Sequence, residues 1–126
     1  MAQLPAGFRA GGLAAGIKRS GRPDLALVRT TGGPAAAAAV FTPNTFAAAP
    51  VRLSQATLAA SAPTLSEGIR GRAGWAEAVI STSGSANAAT GPLGDEDQAE
   101  IGRLVGSALG IDPGAVLHLS TGVIGT

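Results

Sequence analysis

The sequence contains no cysteine, no tyrosine, one histidine, one tryptophan and three phenylalanines. Without cysteine the chain has neither a disulfide scaffold nor a thiolate metal ligand, and one histidine cannot form an imidazole cluster. We therefore expect no bound metal. Charged residues are also scarce, at 13% of the chain with a formal net charge of +1. Because no basic run is interleaved with aromatic residues, this composition argues against nucleic-acid binding.

Long apolar runs are missing too, since none approaches the ~18 residues of a membrane-spanning helix. The N-terminus, with Pro5, Gly7 and Arg9, lacks the pattern of a signal peptide. These absences predict a cytoplasmic protein without membrane contact. What is present is small and apolar: 45% of the 126 residues are hydrophobic, which predicts a folded chain with a single domain over residues 1–126. With so few aromatic residues, its core must consist of Ala, Val, Leu and Ile and is expected to be thin.

Charge is distributed unevenly along the chain. Eight of the nine basic residues lie in the first 72 positions, against two acidic residues, whereas positions 73–126 hold Arg103 and six acidic residues. The two halves could complement one another, serve separate partners, or present solvated faces of different sign. The last interpretation is the most common one for such charge.

Short apolar runs between glycine and proline residues dominate the first 80 positions and predict strands at residues 25–28, 35–41 and 50–53. For residues 35–41 the prediction is a buried strand, because the flanking prolines leave too few alanines for a stable helix. Ser54 is expected to cap a helix that follows. Residues 61–74, which are rich in glycine, are expected to form a mobile surface loop.

The second part of the chain predicts a strand at 75–80, a loop at 81–91, a helix opened by Asp95 and ended by Gly110, and a strand at 115–119. The acidic residues 95–97 are interpreted as a helix-start feature rather than a metal site. One apolar face is expected to comprise Ile101, Leu104, Val105, Ala108 and Leu109. A helix between two strands implies a parallel or mixed sheet covered by a helix, so the predicted fold is a layered α/β structure.

Few motifs carry specific chemistry. Gly11 and Gly16 have the spacing of a phosphate-binding loop, but the required lysine is displaced to Lys18 and no predicted strand precedes Gly11, so this motif is rejected. His118 lies in an apolar strand, where a hydrogen-bonded structural histidine is far more common than a catalytic base.

Two polar loops each follow a predicted strand, at residues 81–91 and 120–125. Loops at the carboxyl ends of strands are where α/β proteins place their sites. In the second loop, the Thr121 hydroxyl beside the Gly122 N–H forms a donor pair that could stabilise a developing oxyanion. On spacing alone, Ser-Thr-Gly is more often a simple turn.

Five segments in order resemble the N-terminal part of the ornithine acetyltransferase family, the bifunctional glutamate N-acetyltransferases of the cyclic arginine pathway. The most specific are Ser-Gly-Ser-Ala-Asn-Ala-Ala-Thr-Gly at 83–91, which is similar to the family loop N-S-G-N-A-N-A-x-T-G, and Leu-Ser-Thr-Gly-Val-Ile-Gly at 119–125, which matches S-T-G-V-I-G. The other segments that resemble the family are residues 5–18, 24–28, and 39–42 with 48–51.

The resemblance implies an N-terminal portion of an α chain from a larger, self-processed α/β scaffold. In such enzymes autoproteolysis gives a β chain whose N-terminal threonine takes acetyl from N-acetylornithine and passes it to glutamate, with its own α-amine as the base. The implied roles here are an oxyanion hole formed by Thr121 and Gly122, a β-chain partner, and assembly into a hetero-oligomer of α and β chains. The exchange needs no cofactor, although some members also accept acetyl-CoA.

The sequence departs from the family in two respects. Thr82 and Ser85 stand where the family loop usually has asparagine, so any contact made by those amides is in doubt. The 126 residues also do not include the family's cleavage-site threonine, so we expect this chain alone to be inactive. Two alternatives therefore stay open: a self-processing relative that acts on another amide or acyl substrate, and a non-catalytic assembly module.

Overall fold

The computed structural model describes residues 4–62 and 71–126. The described residues form β1 (Phe8–Leu13), β2 (Leu25–Thr30), β3 (Ala35–Val40), α1 (Ala49–Ser61), β4 (Gly71–Ala76), β5 (Ala78–Ser85), α2 (Gly91–Leu109) and β6 (Val116–Val123). A short 3-10 helix, Pro113–Ala115, leads into β6.

The main sheet has the strand order β1-β2-β5-β6. β2 pairs antiparallel with both of its neighbours, whereas β5 and β6 are parallel and are connected through α2. β3 and β4 form a separate antiparallel pair. This mixed sheet, with helices packed beside it, confirms the predicted α/β class, because the helical crossover makes the last two strands parallel.

The core lies between the main sheet and α2. Ala78, Ile80 and Val116 are buried at its centre, and Ile101 and Val105 of the helix pack against them. The fully buried apolar side chains of the described residues are mostly alanine, with Leu58, Ile80 and Val116 the larger ones. The thin core of small aliphatic residues that the composition predicts is therefore confirmed.

The buried face of α2 differs from the predicted one. Its fully buried positions are Gly94, Gln98, Gly102 and Gly106, while Leu104 is 60% exposed. Ile101, Val105 and Leu109 do face the core, but Leu104 and Ala108 do not, so the helix is rotated from the predicted orientation. The glycines make this rotation favourable because they let the helix backbone approach the sheet closely.

The start of α2 differs from the predicted one, whereas its end agrees with the prediction. The helix begins at Gly91 rather than at Asp95, because Pro92 is well suited to the first turn, where no N–H partner is lost. Asp95 and its acidic neighbours therefore lie beyond the first turn, and their interpretation as a helix-start feature is wrong. Gly110 has φ +67° and ends the helix in a left-handed conformation, as predicted.

The strand predicted at residues 50–53 is wrong, because these residues form the first turns of α1, with Pro50 in the first turn. Ser54 is consequently inside the helix and does not cap it. Its hydroxyl instead accepts the N–H of His118 at 2.8 Å and donates to the carbonyl of His118 at 3.1 Å. α1 thereby covers the outer edge of β6, the edge opposite β5.

Three smaller predictions are also revised. β3 is a strand as predicted, but its residues alternate between half-buried and exposed, so it is not buried. The strand predicted at 75–80 is divided at Glu77 between β4 and β5. Of the loop predicted at 61–74, residues 71–74 belong to β4, and residues 63–70 lie outside the described residues.

Two ion pairs connect the basic first part of the chain to the acidic second part. Arg29 lies 3.2 Å from Glu77, and Arg52 of α1 contacts Asp95 of α2. At these two ion pairs, the basic first part and the acidic second part of the chain are complementary in charge. Neither described helix is both long enough and apolar enough to cross a membrane.

Candidate functional site

Thr121 and Gly122 lie in a strand and not in the predicted loop. β6 runs to Val123 because its parallel pairing with β5 continues to the end of that strand, with Ser83 opposite Thr121 and Gly84 opposite Gly122. Both candidate residues are exposed to solvent. The donor pair is therefore held on a sheet, which is a more rigid support than a loop.

The direction of the Gly122 N–H follows from the strand pattern. The N–H of His118 points away from β5, towards Ser54, while the carbonyl of Val123 accepts from Ala86 on the β5 side at 2.8 Å. Since strand N–H groups alternate in direction, the N–H of Gly122 points to the outer edge of β6, like that of His118. The Thr121 side chain lies on the sheet face opposite to that of His118.

The ends of β5 and β6 require glycine at both paired positions. Gly84 and Gly122 each have φ +136°, a conformation that L side chains rarely adopt. A Cβ on Gly122 would collide with the Gly84 carbonyl group, and a Cβ on Gly84 would lie 2.6 Å from Cγ2 of Ile17. Because Gly84 and Gly122 have no side chains, neither residue covers the surface beside Thr121.

Asp24 fixes the segment that carries Ile17. Its carboxylate accepts the N–H of Ala15 at 2.6 Å and that of Lys18 at 2.8 Å. These backbone hydrogen bonds, the one from Lys18 foremost, hold the pKa of the Asp24 carboxyl below its usual value of 3.8. The Asp24 carbonyl also accepts the N–H of Ser83 at 2.8 Å. Asp24 therefore attaches the segment between β1 and β2 to β5.

His118 is a buried structural histidine, as predicted. It is 4% exposed, and its Nδ1 lies 2.9 Å from Nε2 of Gln98. Burial lowers the pKa of the imidazole from 6.5 to about 4, so the ring is neutral near pH 7. With a partner on Nδ1 and a position on the opposite sheet face from Thr121, it is not placed to act as a base there.

Asn87 is the centre of the loop between β5 and α2. Its amide nitrogen donates to the Gly94 carbonyl at 2.7 Å and to Oε1 of Gln98 at 3.0 Å, and its amide oxygen accepts from the Thr90 hydroxyl at 2.6 Å. Asn87 has φ +46°, a left-handed conformation that asparagine tolerates better than most residues. Gly94 is required here, because a Cβ would collide with both Asn87 and Thr90.

The two departures from the family loop have internal partners. The Thr82 hydroxyl lies 2.9 Å from that of Ser120, and the Ser85 hydroxyl donates to the carbonyl of Thr126 at 2.6 Å. Both line a cavity of about 230 Å³ at the start of α2, together with Asn87 and Gln98. Within residues 4–62 and 71–126 no group of three or more His, Asp or Glu side chains is arranged to hold a metal ion.

Sequence reasoning missed Gln98 and Gly94. A glutamine among charged helical residues has no distinctive pattern of its own, and the only signal was the four-residue spacing that it shares with the glycines at 94, 102 and 106. That spacing marks the closely packed side of the helix.

Known proteins match this chain in sequence and in structure. The pattern of the ArgJ family covers residues 9–126. The arginine biosynthesis bifunctional protein ArgJ of Gloeobacter violaceus is 44% identical over 94% of this chain and 26% of its own length. The chain thus spans about a quarter of this curated relative.

Two solved structures share the fold. Ornithine acetyltransferase from Mycobacterium tuberculosis, complexed with ornithine, has a TM-score of 0.84 and 44% identity over 97% of this chain and 59% of that one. The arginine biosynthesis bifunctional protein ArgJ from Bacillus halodurans has a TM-score of 0.79 and 36% identity over 96% and 56%. On sequence and fold alike, this chain belongs to the ArgJ family.

Proposed function

We propose that this chain is part of an acetyltransferase of arginine biosynthesis, which moves acetyl from N-acetylornithine to glutamate. Membership of the ArgJ family supports the pathway, and the relative crystallised with ornithine supports the substrate class. The observation that carries the proposal is the exposed Thr121–Gly122 pair on β6, in the segment that resembles the family's S-T-G-V-I-G motif.

The proposed reaction has two steps with one covalent intermediate. A threonine at the N-terminus of a β chain attacks the acetyl carbonyl of N-acetylornithine, while its α-amine accepts the hydroxyl proton. The C–N bond then breaks, and ornithine leaves with that proton on its amine. The glutamate amine next attacks the acetyl ester, which releases the threonine hydroxyl and gives N-acetylglutamate. The exchange itself requires no cofactor, and acetyl-CoA is an alternative acetyl donor.

The role proposed for this chain is to stabilise the oxyanion that forms in each step. The carbonyl oxygen becomes negatively charged when it is attacked, and two fixed donors at about 3 Å stabilise that charge more than they stabilise the neutral substrate. The Thr121 hydroxyl and the outward N–H of Gly122 are adjacent donors on a rigid strand. Their exposure supports the assignment, because donors packed into the interior could not meet a substrate.

Thr121→Val in the full-length protein tests this role. The variant keeps the shape of the side chain but removes the hydroxyl, so we expect kcat to fall on the order of a hundredfold. The assay is acetyl transfer from N-acetylornithine to glutamate, and Thr121→Ser, which retains a donor, is the matched control. Unchanged transfer in a Thr121→Val enzyme with intact chain cleavage would refute the assignment.

The partner and the location belong to the same proposal. We expect a β chain from the same precursor to co-purify with this chain as a hetero-oligomer, which mass spectrometry of the purified protein will detect. A full-length product that is never cleaved and transfers no acetyl would favour the non-catalytic module instead. The cytoplasmic location stays a prediction.

A second candidate is a self-processing enzyme for another acyl substrate. It is favoured by Thr82 and Ser85, which bring hydroxyls into the cavity where the family loop usually has asparagine side chains. A panel of N-acyl amino acids distinguishes the two candidates. A preference for N-acetylornithine supports the first, whereas higher kcat/KM for another acyl donor supports the second.

A further inference from the structure

A chain of side-chain hydrogen bonds, buried at His118 and Gln98 and half-buried at Asn87, connects β6 to the loop that follows β5. We propose that His118, Gln98 and Asn87, named here the relay, are positioning residues that hold the end of β6 in the geometry needed by its oxyanion donors. The inference rests on the function proposed for Thr121 and Gly122, and it assigns the relay no contact with substrate.

Each hydrogen bond in the relay has a fixed direction. Asn87 can only donate to Oε1 of Gln98 through its amide nitrogen. The Gln98 amide nitrogen must then be the donor to Nδ1 of His118, which places the ring proton on Nε2. With Gln98 1% exposed, reversing the amide would leave unpaired polar groups in the interior, which is costly.

The relay is attached to the chain both before and after the donor pair. At its start, His118 lies four residues before Gly122 and is held through its backbone by Ser54. At its far end, the loop around Asn87 is bonded to the segment after Gly122. Its two bonds to that segment are Ala86 N–H to the Val123 carbonyl and Gly125 N–H to the Ala88 carbonyl, both at 2.8 Å.

The relay is closely packed at the glycines of α2, whereas Asn87 and Gln98 also line the cavity of about 230 Å³ at the start of that helix. Gly94 has no side chain where Asn87 and Thr90 meet, and a Cβ at Gly102 would lie 3.3 Å from the His118 ring. In a close-packed interior such contacts transmit small shifts rather than absorb them. Loss of one relay bond is therefore expected to move the loop and, with it, the end of β6.

The test uses the full-length, processed enzyme with Gln98→Met and Asn87→Asp. Both variants conserve volume but remove relay bonds. Because oxyanion donors act in the transition state, we expect kcat to fall about tenfold or more, while KM for N-acetylornithine changes less than about threefold. Thr90→Val, which removes only the bond to Asn87, is a milder variant that keeps the test valid if the others fold poorly, and it should lower kcat by a smaller factor.

A double variant distinguishes positioning from general damage. If the relay acts through the donor pair, adding Gln98→Met to Thr121→Val should lower kcat by less than it does in the parent enzyme, because one of the two donors that the relay positions is already absent. Independent multiplication of the two losses would overturn the proposal. His118→Asn, which presents an amide oxygen near the position of Nδ1, should retain more activity than His118→Leu, and equal activities would also count against it.

Val105→Ala is the matched structural control. Val105 packs α2 against the sheet outside the relay, so its truncation should lower Tm with kcat unchanged below the unfolding transition. If it lowers kcat as Gln98→Met does, the effect is one of stability and the relay is refuted. A parent enzyme that transfers no acetyl would instead refute the function proposed above, which keeps the two failures separate.

Discussion

At the scale of single residues, the burial of His118 makes the stability of the fold depend on pH. The unfolded chain binds a proton at this residue near pH 6.5, whereas the folded chain binds it only near pH 4. As the pH falls through that interval the unfolded state takes up more protons, so the free energy of unfolding decreases, by at most about 1.4 kcal/mol per pH unit. The contribution of His118 to stability is thus present above about pH 6.5 and is lost as the pH falls towards 4.

Urea unfolding between about pH 7 and pH 4 measures this effect in the purified protein. The His118→Asn variant should show a shallower loss of stability over the same interval, because its amide does not titrate. Parallel curves for the two proteins would contradict the assignment of the effect to His118.

The residues of the site differ in how far the sequence predicted them. Thr121 and Gly122 could be named because a hydroxyl beside a glycine N–H has a recognisable chemistry and lies in a motif that resembles a family loop. Gln98 could not be predicted, since its role depends on the rotation of α2, which is set by glycines rather than by the apolar residues that periodicity detects. Asn87 was within the quoted loop, but its hydrogen bonds join residues that only the fold brings together.

At the scale of elements, α2 provides a substitution whose effect has the opposite sign from helix propensity. Gly→Ala inside a helix normally stabilises by about 1 kcal/mol. At Gly94 the added methyl group would collide with Thr90 and Asn87, so we expect Gly94→Ala to destabilise the protein by about 1–3 kcal/mol.

Ser107→Ala is the control for this prediction, since Ser107 lies on the exposed side of the same helix and alanine there should be neutral or slightly stabilising. Thermal unfolding of both variants compares the two positions directly. Stabilisation by Gly94→Ala would show that the contact is looser than the structure indicates.

The elements themselves were predictable where a pattern was local. The strands predicted at 25–28 and 115–119 and the helix predicted from Asp95 to Gly110 follow from short-range periodicity and turn residues. Each corresponds to an observed element, although the helix begins at Gly91 and the last strand at Val116. The strand at 50–53 was wrong because an isolated run of Pro-Val-Arg-Leu fits either a strand or a helix start, and packing against β4 and β6 decides between them. The extension of β6 past Ser120 depends on β5, a partner about 40 residues away.

At the scale of the whole molecule, several large apolar side chains are exposed, and two of them share a groove. Val40 is 86% exposed and Leu119 57% exposed, and both line the same groove beside α1. Exposed apolar patches of this kind mark interaction surfaces or aggregation sites. The curated relative from Gloeobacter violaceus is about four times as long as the matched region, which gives it more polypeptide to cover such a surface.

The 126-residue chain by itself is therefore expected to self-associate at high concentration. Val40→Thr combined with Leu119→Thr should reduce this association, because the apolar area in the groove decreases, and sedimentation analysis measures the change. Leu104→Gln serves as the comparison, since Leu104 is equally exposed but lies on α2, outside the groove. A chain that stays monomeric at all concentrations would contradict the prediction.

The hydroxyl of Ser54 has one more consequence. A bare outer strand can template a ladder with another molecule, which is how fibrils begin to grow. The Ser54 hydroxyl is hydrogen-bonded to both the N–H and the carbonyl of His118. An additional strand therefore cannot pair with β6 at this position of its outer edge. The strand that carries the proposed donor pair is thereby protected from polymerisation.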